Sequence, residues 1–202
     1  MSLKSFSRII LIILTISSVN NCILLSFGDL DDHTIPATKI KKNTDHSLTL
    51  MLHYELRMNG EYKDKFVEKK RMERIKLCLD AYRNSGIFHS VSDDEGGDII
   101  ANVFISENSE ANLGFALLSG ATLFLFPSIG TADFSMHTVF ATKTGKPLGT
   151  IQANGWQLVI MQILMLFPMI IWNPYSEDEN FIIKMNQFTI NEAIKSGIFN
   201  IK

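Results

Sequence analysis

The uncharged stretch from Trp156 to Trp172 constrains this chain more than any other feature. It reads WQLVIMQILMLFPMIIW, begins and ends on tryptophan, and is interrupted only by Gln157, Gln162 and Pro168. Its length is close to the ~17–25 residues with which an α-helix crosses a bilayer, and indole rings favour the two membrane–water interfaces. A helix buried on all sides in a protein core has a similar composition. The stretch therefore predicts a membrane-associated segment or a wholly buried one.

A second apolar block, Leu113–Ile129, reads LGFALLSGATLFLFPSI and also carries no charge. If both blocks spanned a bilayer, residues 130–155 would lie on the opposite side from residues 48–105. The strand-like segments within 130–155 would then form a lone hairpin, which is at best marginally stable in water.

A single sheet therefore requires both blocks to return to the side that they left. We expect blocks 113–129 and 156–173 to lie against each other and dip into one leaflet, or to pack as an apolar layer against the sheet. Glycine and proline in the blocks suit bent segments better than straight spans. Two ordinary transmembrane helices remain the alternative.

The rest of the chain alternates strand and helix patterns. Period-two alternation of apolar and polar residues predicts five strands, at Ser47–Met58, Ile87–Ser92, Ile99–Ile105, Asp133–Thr142 and Pro147–Ala153. An acidic, glycine-containing turn at 93–98 is predicted to close a hairpin between the second and third strands. Lys143–Lys146 is predicted to close another between the last two.

Two longer segments, Glu61–Ser85 and Phe181–Lys195, show helical spacing and both run into the sequence SGIF. Gly86 and Gly197 stand where a left-handed residue ends a helix. The predicted fold is an α+β domain over residues 48–202, with a mostly antiparallel sheet of about five strands, two main helices and two long apolar membrane-associated segments. The predicted inner face of the first helix consists of Tyr62, Phe66, Ile75, Cys78, Leu79 and Tyr82.

The amino terminus has the pattern of a secretory signal. Lys4 and Arg8 precede the apolar run Ile9–Ile16, and a polar break leads to Cys22. This arrangement resembles the lipobox of bacterial lipoproteins, in the loose form found in spirochaetes, and it implies cleavage before an acylated Cys22. An uncleaved signal anchor from Ile9 to about Phe27, or ordinary cleavage without lipid, are the alternatives. All three place the bulk of the chain outside the cytoplasm.

The predicted organisation is a lipoprotein-type signal peptide at 1–21, a polar tether at 22–47 and the α+β domain at 48–202. The formal net charge of −2 gives no electrostatic basis for binding nucleic acid. Cys78, the second of two cysteines, lies on a helical apolar face and is interpreted as a small buried side chain.

Two motifs resemble those of a loosely defined set of uncharacterised bacterial cell-envelope lipoproteins. Residues 85–91 (SGIFHSV) match a turn of the form sG.F..V, and residues 118–128 (LSGATLFLFPS) match a block of the form lSg.TL.l.Ps. The resemblance covers most of the chain after the signal. It implies a location in the cell envelope and brings no catalytic residues.

The sequence indicates no enzyme, no metal site and no cofactor. Five histidines are scattered through the chain without ligand spacing, and no GxSxG, Walker or GxGxxG motif occurs. The polar residues thus point to no reaction.

We therefore expect a non-enzymatic lipoprotein of the bacterial cell envelope, anchored on the periplasmic side of the inner or outer membrane. It would serve as a structural, accessory or assembly subunit whose partners are membrane lipid or a membrane protein. The alternatives are a carrier of lipid or another apolar ligand, and an integral two-span protein. Besides the lipidated Cys22, the expected contact residues are Phe115, Leu118, Leu123, Phe126, Trp156, Leu158, Ile163, Leu166, Phe167 and Trp172.

Overall fold

In the residues that the structure describes, seven strands form one mixed sheet, and three helices accompany it. The computed structural model of the chain describes residues 22–28, 30, 46–94, 96–123, 125–162 and 174–199. The elements are β1 Cys22–Gly28, β2 Ser47–Met58, β3 Glu61–Tyr62, α1 Asp64–Asn84, β4 Ser90–Ser92, β5 Ile99–Ala111, α2 Leu113–Ala121, β6 Ser128–Thr142, β7 Pro147–Met161 and α3 Pro174–Lys195.

The sheet has the strand order β1-β7-β6-β5-β2-β3, and β4 also pairs with β2. The predicted α+β class is confirmed, whereas the expected sheet of about five strands is too small. The expected β6–β7 hairpin is confirmed and belongs to the same sheet as β2 and β5, so the strands before and after the first apolar block do pair.

The hairpin predicted between 87–92 and 99–105 is wrong. β4 and β5 both run parallel to β2 and lie on opposite sides of it. Parallel neighbours require a crossover connection, and α1 lies in the connection between β2 and β5. The acidic residues 93–98 therefore join two strands that are separated by β2.

One face of the sheet is buried and the other is open in the part of the chain that the structure describes. Alternate side chains of β2, such as Leu50, Leu52 and Tyr54, are buried in a core with α1 and α3. The residues between them, including His53, point to the opposite face, where the exposed ring of Phe104 also lies. The sheet and its two long helices thus form a two-layer structure.

The inner face of α1 is confirmed in its second half only. Ile75 and Tyr82 are buried as predicted, but Tyr62 and Phe66 are exposed because Tyr62 belongs to β3 and Phe66 lies in the first turn of α1. The charged residue Arg74, which the pattern did not assign to the core, is buried.

Both SGIF segments end their helices as expected. Gly86 and Gly197 have φ values of 68° and 74°, the left-handed conformation that glycine adopts without strain. The turns carry Phe88 and Phe199 into the core, where their ring centroids lie 5.1 Å apart in an edge-to-face arrangement. Each SGIF segment therefore supplies one of the two rings of this aromatic contact.

Neither apolar block forms a spanning helix in the described residues. Block 113–129 comprises the nine-residue α2, a turn and the start of β6. Nine residues rise only about 14 Å, against a hydrocarbon core of about 30 Å. Trp156–Met161 continues β7, because β1 and β6 pair with it on both sides. No described helix is long and apolar enough to cross a membrane, and 163–173 lie outside the described residues.

The segment predicted to be a tether, residues 22–47, is described in part. Cys22–Gly28 forms the edge strand β1, antiparallel to β7, and Leu24 is buried. Leu30 also packs against the core. The predicted signal peptide, 1–21, lies outside the described residues.

Candidate functional site

An exposed apolar surface lies at one corner of the sheet, where β1 begins, β7 ends and β6 begins. The backbone register places Met161 between Cys22 and Ser128. α2 precedes β6 and packs against it, so the helix lies at the same corner. We call this surface the apolar corner and define it by its exposed large side chains: Phe27, Leu113, Phe115, Leu117, Leu118, Leu123, Leu125, Phe126, Trp156 and Met161.

α2 is exposed around most of its circumference. Leu117 keeps 76% of its surface accessible, Leu123 after the helix keeps 71%, and Ser119 is the one residue of α2 that is buried. A helix that faces water normally carries polar residues on its outer side, but α2 contains no charged residue. Its composition therefore suits an apolar environment and not bulk water.

The backbone around α2 has its polar groups paired. The side chain of Asn112 accepts a hydrogen bond from the amide of Phe115 at 3.2 Å and caps the helix. At the other end, the Thr122 hydroxyl donates to the carbonyl of Leu118 at 2.7 Å and accepts from the amide of Phe126 at 3.3 Å.

The turn that follows α2 is paired in the same way. The amide of Leu125 donates to the carbonyl of Thr122 at 3.1 Å, and the carbonyl of Leu125 accepts from the side chain of Gln162 at 3.1 Å. Both backbone groups of Leu125 are therefore paired within the protein, as an element removed from water requires.

Charge is absent from the three segments that meet at the apolar corner. Segments 22–28, 111–132 and 147–162 contain no Asp, Glu, Lys or Arg. The first acidic residue along β6 is Asp133, which pairs with Trp156, and Trp156 pairs with Phe27. The rings of Trp156 and Phe27 stack with centroids 4.5 Å apart. This aromatic pair lies beside Asp133, the first acidic residue along β6.

The structure brings six of the ten predicted contact residues to the corner. Phe115, Leu118, Leu123, Phe126 and Trp156 are exposed there, and Leu158 is half-buried in β7. The other four, Ile163, Leu166, Phe167 and Trp172, lie outside the described residues. Sequence reasoning missed Leu113, Leu117, Leu125, Met161 and Phe27, although all except Phe27 lie within the two apolar blocks.

The predicted lipidation residue, Cys22, is the first residue of β1. Its backbone pairs with Met161, so an acyl chain on its sulfur would begin at the apolar corner. The position of the cysteine in the sheet was not foreseen, because the sequence placed it in a tether.

A groove of about 310 Å³ lies on the open face of the sheet. The ring of Phe104 in β5 stacks on His53 with centroids 4.6 Å apart and tilts toward His137 at 6.1 Å. Glu55 and Ser135 also line the groove. The two imidazoles are separated by the phenyl ring, and in the described residues no three His, Cys, Asp or Glu side chains cluster to hold a metal ion. Both histidines occupy exposed strand positions.

Among the described residues, the buried charges Arg74 and Glu107 belong to one cluster beneath α1. Arg74 is 3% exposed and forms a two-pronged ion pair with Asp178, with nitrogen–oxygen distances of 2.9 and 3.0 Å. Glu107 in β5 accepts a hydrogen bond from the hydroxyl of Tyr54 at 2.5 Å and contacts Lys70 at 3.1 Å and Arg74 at 3.5 Å. This cluster connects α1 with the sheet and with α3.

The ionisation of the cluster follows from its surroundings. Burial, followed by the negative charge of Glu107, raises the pKa of Tyr54 well above its ordinary value. Burial alone would lower the pKa of Arg74, but Asp178 and Glu107 together outweigh that effect and raise the pKa. Tyr54 thus stays neutral and Arg74 stays charged at physiological pH, so the cluster is built for fixed ion pairing and not for proton transfer.

Comparisons with known proteins give no family. No protein-family model matches the chain, and no match is found among curated proteins. Among solved structures, the chain is similar to the crystal structure of protein XCC0632 from Xanthomonas campestris, described with the family model DUF330, at a TM-score of 0.40 and 8% identity. That alignment covers 76% of this chain and 85% of the other. A likeness at this level identifies neither a family nor a function.

Proposed function

We propose that this chain is a non-enzymatic lipoprotein of the bacterial cell envelope, acylated on Cys22 and exposed on the periplasmic side of a membrane. Its α+β domain would present the apolar corner to the membrane or to a membrane-protein partner, as an accessory or assembly subunit does. One observation carries this proposal: Cys22 pairs with Met161, so the candidate acylation residue and the exposed apolar side chains lie at one corner of the sheet.

The exposed side chains favour surface contact over the alternative of an apolar-ligand carrier. A carrier would enclose its ligand between the two blocks, and enclosed pockets bury most of their ligand. The leucines and phenylalanines of α2 instead point outward in the described structure. Exposed apolar patches of this kind mark contact with a protein or a membrane.

The integral two-span alternative is less well supported. It would place the β6–β7 hairpin on the opposite side of a bilayer from β2 and β5, yet β6 pairs with β5 over thirteen residue pairs, from Ile99–Thr142 to Ala111–Gly130. A monotopic attachment is compatible with one continuous sheet.

Replacing the cysteine tests the proposal. Wild-type protein expressed with its own signal should carry acyl chains detectable by intact-mass spectrometry and should enter the detergent phase in Triton X-114 partition. The Cys22→Ala variant should lack that added mass and should no longer be cleaved before residue 22. Cys78→Ala removes the other thiol and should leave acylation unchanged. Wild-type protein without added acyl mass would contradict the proposal.

A further inference from the structure

We propose that the apolar corner inserts directly into one leaflet of the lipid bilayer, with α2 as the inserted element and Trp156 and Phe27 at the headgroup level. This inference deepens the proposed function and takes from it the orientation set by an acylated Cys22. It commits the corner to lipid, whereas the proposed function leaves lipid and a membrane protein as alternatives.

The surface chemistry of α2 favours lipid. The exposed side chains Leu113, Phe115, Leu117 and Leu118 surround a short helix without charge. A protein partner normally covers one face of a helix and leaves the other to water. A fluid leaflet surrounds an inserted element on all of its exposed sides, which matches the apolar residues around α2.

Several backbone groups of α2 and of the turn that follows it have partners within the protein. The Asn112 side chain accepts from the amide of Phe115, and the Thr122 hydroxyl donates to the carbonyl of Leu118 and accepts from the amide of Phe126. Gln162 satisfies the carbonyl of Leu125 at the tip of the following turn. Each unpaired backbone group would cost several kcal/mol in hydrocarbon, so these bonds are a requirement for insertion.

The depth of insertion follows from the aromatic pair. Tryptophan and other amphipathic rings favour the interface between headgroups and acyl chains. Trp156 lies five residues before Met161 in β7, a separation of roughly 17 Å along the strand, which is about the thickness of one leaflet's hydrocarbon. Asp133, the neighbour of Trp156 across the sheet, would lie at the headgroups and outside the hydrocarbon.

Charged residues elsewhere in the sheet limit the insertion to this corner and require the sheet to tilt relative to the membrane. Glu110 pairs with Thr131 in β6, and Glu61 forms an ion pair with Lys63 beyond the neighbouring β2. These charges lie at the same end of the sheet, on the β5-β2-β3 side. Only the β1-β7-β6 side can enter the leaflet, so the strands would stand oblique to the membrane.

Fluorescence of Trp156 tests the inference. The chain has two tryptophans, so Trp172→Phe leaves Trp156 as the single reporter. Acylated Trp172→Phe protein is reconstituted into protein-free phosphatidylcholine vesicles that contain lipid brominated near the headgroup or near the acyl-chain end. We expect a blue-shifted emission and stronger quenching by the shallow bromines.

Three substitutions at exposed positions supply a matched comparison in the same background. Leu117→Glu places a charge on α2 and should lower the vesicle partition coefficient of the unacylated protein about tenfold or more, since charges are costly at membrane depth. Leu125→Glu provides a second site with the same expectation. Met72→Glu makes the same kind of change at an exposed position of α1 and should leave partition unchanged.

The outcomes separate this inference from the proposed function. Acylated protein that sediments with vesicles while Trp156 stays unquenched would overturn insertion and leave the lipid anchor standing. Quenching of Trp156 in a protein that carries no acyl group would support insertion while the anchor fails. Quenching that occurs only when envelope membrane proteins are added to the vesicles would overturn insertion into lipid and assign the corner to a protein partner.

Discussion

Arg74 in α1 and Asp178 in α3 face each other with two charge-assisted hydrogen bonds of 2.9 and 3.0 Å, although 104 positions separate them in the chain. The same guanidinium lies 3.5 Å from Glu107 of β5. One buried cation therefore holds three elements that the backbone does not connect directly.

Loss of that cation should destabilise the fold strongly. We expect Arg74→Met to lower the free energy of unfolding by about 3–5 kcal/mol, because Asp178 would lose its two-pronged ion pair and the buried Glu107 would lose one of its two cationic neighbours. Urea denaturation followed by circular dichroism measures this. Lys69→Met, at an exposed position of the same helix, should change stability by less than about 0.5 kcal/mol. Equal effects of the two substitutions would contradict a structural role for Arg74.

Asp98 should contribute to the pH dependence of stability on the acidic side. The backbone amide and the hydroxyl of Ser47 both donate to its carboxylate, at 3.0 and 2.8 Å, and they lower the pKa of Asp98 below its ordinary value of 3.8. A lowered folded-state pKa stabilises the fold above the unfolded-state pKa, and this stabilisation disappears as the pH falls through the folded-state pKa.

The matching experiment compares wild-type protein with Asp98→Asn by urea denaturation across the acidic range. The stability advantage of the wild type should be constant near neutral pH and should shrink as the pH falls below about 4. Ser47→Ala should reduce that pH-dependent part, because it removes the hydroxyl donor. An advantage that stays constant to the lowest pH would show that Asp98 is not stabilised as an anion.

Two glycines offer a contrast between a crowded and an open position. A Cβ at Gly155 would lie 2.7 Å from Cζ of Phe181 and 2.9 Å from the carbonyl oxygen of Phe27, whereas a Cβ at Gly120 in α2 would meet nothing within 4 Å. We expect Gly155→Ala to cost about 1–3 kcal/mol through overpacking. Gly120→Ala should be neutral or should favour α2 by up to about 1 kcal/mol. Thermal unfolding of both variants would reveal the opposite signs, and equal destabilisation would contradict the packing around Gly155.

The thiol of Cys78 should be protected until the protein unfolds. Burial raises its pKa to about 12, and the thiolate is the reactive form. In a Cys22→Ala background it is the single thiol, so labelling with a maleimide at mildly alkaline pH reports opening of the fold. We expect negligible labelling of native protein and faster labelling when Arg74→Met is added. Immediate modification of the native protein would show that the α1–α3 interface is open.

Local patterns predicted most of the secondary structure because they depend on near neighbours. Alternation in Ser47–Met58 reflects one buried face of β2, and the glycines of the two SGIF segments reflect a backbone conformation at a helix end. Such signals need no knowledge of distant contacts. For the same reason they gave the β6–β7 hairpin correctly.

Long-range pairing could not be read in the same way. The sequences of β4 and β5 suggest the two strands of a hairpin, but β2 lies between them. Nothing in the sequence of residues 93–98 indicates that β2 separates the two strands. Trp156–Met161 resembles part of a membrane helix because it is uncharged and mostly apolar, whereas its pairing with β1 and β6 involves residues distant in the chain. The burial of Arg74 could not be predicted from its neighbours in α1, because its partners Glu107 and Asp178 lie 33 and 104 residues away.

The sequence predicted which segments of the candidate site are apolar, but not where these segments lie in the fold. The two apolar blocks were predicted to dip into one leaflet or to pack as an apolar layer against the sheet, but nothing in the sequence placed Cys22 beside them. That relationship depends on the pairing of β1 with β7, which joins Cys22 to Met161 across 139 positions.

The start of β1 at Cys22 also determines how far from the membrane an acylated domain could extend. A tether over residues 22–47 would extend roughly 80–90 Å when fully stretched and would let the domain meet partners far into the periplasm. With the acyl group proposed for Cys22, the acylated residue itself belongs to the sheet. No flexible segment would then separate the domain from the membrane. Its longest strands extend only about 50 Å, and any partner must come within that distance of the membrane surface.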